Sequence, residues 1–149
     1  MIARLPLTMA LSALLGSVTS LPVGRGRMPA GSPSRYYLLY AMPATYTGAP
    51  LADLSEDASL VYQVTAVSAP TPDTPGSYGV ADQAEWMGDQ ARSAILSRDP
   101  NSGLWLHTLT IPGAKVIGRS LETEPGATSD QSDAIMSYVQ RFRFDLTPA

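Results

Sequence analysis

Asp82–Arg98 reads DQAEWMGDQARSAILSR, and its periodicity decides what the rest of the chain must supply. Ala84, Met87, Ala91, Ala94 and Ile95 recur at three- and four-residue spacing, which places them along one side of an α-helix. Glu85, Asp89, Arg92 and Ser93 then face away. Asp82 followed by Glu85 three positions on resembles a capping box, while Arg92 and Arg98 fall near the negative end of the helix. At about 1.5 Å per residue the element is roughly 25 Å long, enough to lie across several strands. One apolar side needs a sheet to pack on, and candidate strands lie on both sides of it in sequence.

Upstream, Ser59–Ser68 (SLVYQVTAVS) is rich in β-branched residues and reads as an inner strand. Arg35–Met42 (RYYLLYAM) is apolar on both faces, as expected of a strand covered on both sides and placed at the sheet's centre. Residues 43–58 are turn-rich and read as an excursion at the sheet's edge. APTPDTPGSYG (69–79) carries three prolines and joins strand to helix as a projecting loop. Val23–Met28 (VGRGRM) is a short strand or flexible segment bearing Arg25 and Arg27.

Downstream, DPNSG stops the helix, and Leu104–Thr110 (LWLHTLT) and Lys115–Leu121 (KVIGRSL) resume strand character. ETEPGATSD reads as an exposed acidic loop. Ala134–Leu146 (AIMSYVQRFRFDL) has period two over its last half, with Ile135, Tyr138, Phe142, Phe144 and Leu146 as core candidates and Arg141, Arg143 and Asp145 opposite. At the other end, MIARLPLTMALSALLGSVTSLP places Leu7, Leu11, Leu14, Leu15 and Val18 at helical spacing. A docked N-terminal helix is preferred to a cleaved secretory signal on that ground, and the run is short for a membrane span. The expectation is one domain over residues 1–149 of α/β (α+β) class, a mixed and mainly antiparallel sheet packed by an N-terminal and a central helix.

The totals narrow the function. A net charge of −3 argues against general affinity for a nucleic-acid backbone. A charged fraction of 15% with 13 Pro and 12 Gly suits a surface partly covered by something else. The chain has no Cys, which removes disulfides, thiolate zinc sites and a thiol nucleophile. His107, the single histidine, sits in a strand-like run and reads as a sheet residue before a general base. Glu56/Asp57, Glu122/Glu124 and Asp130/Asp133 lack EF-hand spacing and read as solvated loops. Neither GxGxxG, GxxxxGK[ST] nor Gly-x-Ser-x-Gly occurs. No catalytic residue, cofactor or metal is expected. Trp86 falls toward the polar side of its helix and is either a residue under a loop or an interface anchor. Arg141 and Arg143 form either a solvated face or one offered to a partner.

LVYQVTAVS from Leu60, the DQAEWMGDQARSAIL helix, and LETEPGATSD with DAIMSYVQRFRFDL together resemble the tail terminator, or tail completion, proteins of long-tailed phages that infect high-GC bacteria. The resemblance covers about a third of the chain and contains no catalytic signature. It implies a structural virion subunit, assembled in the host cytoplasm, that forms a homohexameric ring at the head-proximal end of the tail. Its partners would be further copies of itself, the major tail tube protein and a head-tail connector or stopper. DNA would pass through the lumen without sequence-specific binding, and no membrane is involved. On this reading Arg25, Arg27, Trp86, Arg141 and Arg143 are interface candidates, with Arg141 and Arg143 lining the lumen or a subunit seam. The 24–34 and 69–79 segments would make contacts along the tail axis or between subunits. Another connector component, a stopper or adaptor, and an exported ligand-binding or hydrolytic domain with a cleaved N-terminus are the alternatives.

Overall fold

The computed structural model describes residues 1–48, 56–130 and 133–149, so part of the expected 43–58 excursion lies outside the described residues. Two helices pack on one face of a five-stranded sheet. In chain order the elements are α1 (Leu5–Thr19), β1 (Val23–Arg25), β2 (Arg35–Tyr46), β3 (Ala58–Ser68), α2 (Ala81–Leu96), β4 (Ala114–Asp130) and β5 (Ile135–Pro148). The sheet order is β1-β2-β3-β5-β4. β1 runs parallel to β2, and every other pairing is antiparallel. The mixed, mainly antiparallel α+β arrangement expected from the sequence is therefore the observed one.

The core lies between helices and sheet. Period two in β3 and β5 sends Leu60, Tyr62, Val64 and Ala66 together with Phe142, Phe144 and Leu146 to the helix side, where all are buried. Tyr62 and Phe144 meet edge to face with centroids 5.8 Å apart. From above, Leu7, Leu11, Leu14 and Leu15 of α1 and Ala84, Met87, Ala91, Ala94 and Ile95 of α2 close this layer. The N-terminal run is a packed helix as expected, although Val18 is exposed. Its Arg4 is a fold anchor: Nη2 donates to the Val61 carbonyl at 2.7 Å and the guanidinium lies over the Tyr62 ring.

Several expectations are corrected. β3, not β2, is the central strand, because β1 and β2 occupy one flank and β5 and β4 the other. β2 is buried on both faces only near its start, at Tyr36 and Tyr37, and continues through Pro43 to Tyr46 past a register shift between Ala41 and Ala44. The 122–130 segment is no loop but the second half of β4, paired with β5 from Thr123↔Arg141 to Asp130↔Ile135. Register shifts at three places in β4 absorb the Gly and Pro that suggested a loop. Leu104–Thr110 forms no strand. It contributes a single bridge, Arg98↔Trp105, and its leucines at 104 and 106 point outward.

The ends of α2 also differ. No side chain caps its N-terminus; Val80 is the N-cap residue, and Asp82 sits within the first turn. The entry is fixed from β3, where Ser68 Oγ accepts from the Val80 N–H at 3.0 Å and donates to Gln83 Oε1 at 2.7 Å. Arg98 lies beyond the last turn. The cation at the helix C-terminus is Arg119 of β4, whose Nη1 donates to the Ile95 carbonyl at 3.0 Å.

Candidate interaction surfaces

Because both helices cover the same side, no helix among the described residues lies on the opposite face of the sheet, where Tyr36, Thr65 and Val67 are nevertheless buried. Along it stand Leu38 and Tyr40 of β2, Val61 and Gln63 of β3, and Val139, Arg141 and Arg143 of β5, all half-buried except the exposed Arg143. The antiparallel register sets Gln63 beside Arg141, and Arg141 Nε donates to Gln63 Oε1 at 3.2 Å. Arg143 Nε lies 3.0 Å from Asp145 Oδ1 two residues on. Surface pairs of this kind contribute about 0–1 kcal/mol, so they orient the guanidinium groups more than they stabilise the fold. Near the β3 start this face sinks into a hollow of about 590 Å³ bordered by Thr45, Asp57, Val61, Glu122, Arg143 and Asp145. Apolar wall, three carboxylates and one guanidinium make it a polar rim over a partly apolar floor.

The helix layer presents a different chemistry. From Leu5 to Thr19, α1 contains no charged residue. Its outward side chains Leu5, Met9 and Val18 are exposed, Met9 by 56%. Thr8, Ser12, Ser17 and Thr19 interrupt its apolar surface, so the helix is charge-free without being apolar all round. The segment after α2 adds Leu104, 70% exposed, and Leu106. Between them Trp105 is half-buried, with the guanidinium groups of Arg98 and Arg119 over its ring at 4.2 and 4.9 Å from the centroid. Hollows flank this segment on two sides. One, of about 470 Å³, lies against Ala13, Leu14 and Val18 of α1; the other, of about 250 Å³, is lined by Leu104, Trp105, Val116 and Arg119.

The five interface candidates do not form one patch. Arg141 and Arg143 share the helix-free sheet face. Arg25 lies on the helix side, bordering a shallow hollow with Met9, Ser12 and Ala13. Arg27 is exposed just past β1, away from Arg141 and Arg143 in the sheet order. Trp86 is 51% exposed on the outer side of α2, where its helical position puts it beside Asp82, Glu85 and Asp89. His107 sits in the 97–113 connection and not in a strand, bordering the hollow against α1.

Sequence reasoning missed the Arg98–Trp105–Arg119 cluster. A register shift between Val116 and Gly118 is the reason, because it reverses the inward and outward alternation expected for KVIGRSL and turns Arg119 into the helix side. Arg119 is 8% exposed and its Nε has no hydrogen-bond partner. Burial pulls its guanidinium down to about 10, so it stays charged at neutral pH. Among the described residues no group of three or more His, Asp or Glu is placed to hold a metal ion, and no helix is long and apolar enough to cross a membrane. No known protein-family profile matches the chain, and no curated protein matches it significantly.

Proposed function

We propose that this chain is a structural phage virion protein of tail-terminator type, which caps a completed tail tube, stops its polymerisation and offers the surface for head-tail joining. The observation that carries the reading is the pairing of two unlike broad surfaces on one small domain: a sheet face without a helix, carrying oriented arginines, and a charge-free helix with outward apolar side chains. A ring subunit has to meet two neighbours by different surfaces and two axial partners besides. The resemblance of the β3, α2 and β4–β5 segments to tail terminators gives these surfaces their assignment. In this reading Arg141 and Arg143 face the lumen or a seam, DNA passes without sequence-specific contacts, and the work is done by shape and not by turnover of a substrate.

The direct test is negative-stain microscopy of the purified chain mixed with its tail tubes. A ring at one tip of each tube is the expected image. Unchanged bare tips at saturating protein would reject the capping role, and binding to capsids instead would assign the chain to the head side of the joint.

A further inference from the structure

The helix layer holds two patches that fit each other. The first is the outward side of α1, where a hollow of mixed lining, Leu14 and Val18 beside Ser17, His107 and Thr108, adjoins at Ala13 a second one bordered by Met9, Ser12 and Arg25, while Arg98 stands over the Trp105 ring next to Leu106. Neither guanidinium is in an ion pair among the described residues, and α1 has no charge of its own to offer them. The second is the outward face of α2, where Trp86 stands 51% exposed. Asp82 and Glu85 flank it and are likewise outside any ion pair among the described residues.

We infer that the α2 face of one copy seats on the α1 patch of a second copy, with Trp86 as the anchor and Asp82 and Glu85 meeting Arg25 and Arg98 at the rim. An exposed aromatic combines large contact area with few torsions to freeze, which is why such residues dominate contact energetics. The rim charges set orientation and encounter rate more than affinity. A second copy is the occupant favoured by the charges, because the chain carries both the cations outside ion pairs beside the α1 hollows and the carboxylates outside ion pairs around the exposed indole. Strand addition at the sheet edges is a poorer route. β4 is broken by register shifts and Pro125, while β1 has three residues and β2 runs past it with Pro43.

The contact uses unlike patches, so it can propagate from copy to copy and is separable by mutation. Trp86→Ser removes the anchor and leaves the α1 patch; Met9→Asp, in the hollow beside Arg25, spoils the α1 patch and leaves the anchor. Both positions are more than half exposed, so both variants keep the wild-type circular dichroism and thermal midpoint. Ala13→Asp, at the exposed position where the two hollows adjoin, serves as a second variant of the α1 patch. Sedimentation of the purified full-length chain, without tails, is expected to show self-association of the wild type. Each variant alone weakens it by at least about tenfold in Kd. An equimolar mixture of Trp86→Ser with Met9→Asp forms a dimer and goes no further, because one intact anchor meets one intact α1 patch. A wild-type chain that stays monomeric, variants that associate like wild type, or a mixture that stays monomeric would each overturn the inference. None of these outcomes bears on whether the chain caps a tube, which is read separately at the tube tip.

Discussion

Arg119 Nη1 donates to the Ile95 carbonyl oxygen across 3.0 Å, so a strand supplies the cation at the C-terminal end of the helix that packs above it. The bond satisfies one of the orphan carbonyls in the last turn and sets a positive charge against the negative end of the helix. Trp105 shields the same guanidinium from one side. Arg119→Met keeps the stem and deletes bond and charge. The expected loss is about 1.5–3 kcal/mol in chemical denaturation, the range for a hydrogen bond involving a charged group. A midpoint that holds or rises would mean that desolvation of the guanidinium outweighs its bond and its ring contact.

Tyr37 gives the fold an alkaline limit. Burial pushes its phenol well above the ordinary 10.0, and the hydroxyl donates to the Met87 carbonyl at 2.7 Å. The folded state therefore keeps a proton that the unfolded chain releases near pH 10. Stability from this group is fully present below that pH and is lost above it, at about 1.4 kcal/mol per pH unit. Arg119 acts in the opposite sense, since its depressed value lets the folded chain release a proton between about 10 and the ordinary 12.5. Tyr37→Phe separates the two. It costs about 1 kcal/mol at pH 7 and narrows the gap to wild type as the pH is raised past 10, read as urea midpoints across that range. A gap that stays constant with pH would refute the assignment.

Gly88 is buried in the middle of α2, and a Cβ built there would stand 2.6 Å from Cδ1 of Tyr138. The glycine lets helix and β5 approach at this point. Gly88→Ala gains up to about 1 kcal/mol in helix propensity but must displace the ring, with overpacking costs of about 1–3 kcal/mol. A net loss is expected in thermal melting. In a Tyr138→Ala background the clash is gone and the same change becomes neutral or stabilising, a reversal that a simple propensity effect cannot produce.

Charge reversal on the helix-free face separates folding from assembly. Arg141→Glu with Arg143→Glu alters exposed or half-buried groups held by surface contacts, so the melting midpoint is expected to stay within about 0.5 kcal/mol of wild type after allowing for Gln63 and Asp145. Under the proposed function the pair abolishes head-tail joining in complementation. Full joining by a folded double variant would remove this face from the joint.

How much of this was written legibly in the chain differs from element to element. α2 was readable because five apolar residues keep one helical face and the flanking segments break it sharply. β3 and β5 were readable because their alternation is uninterrupted over the core. β4 was not. Gly118, Pro125 and Gly126 are turn residues by composition, and only the pairing with β5 shows that each is absorbed in a register shift while the strand continues. The central position of β3 was hidden too, since β2 is the more apolar strand and strand order depends on pairing across the chain. Of the interaction surfaces, the outward placement of Trp86 and of Arg141 with Arg143 followed from period alone. The Arg98–Trp105–Arg119 cluster did not, because it joins a loop to a strand whose parity is shifted.

The breaks in β4 reach beyond topology. A rim whose spacing changes three times, with a proline among its residues, gives a stranger's backbone no continuous template to zip onto, and the short opposite rim gives little more. Molecules of this kind can be crowded to high local concentration and still meet through their side chains and not by adding strand to strand.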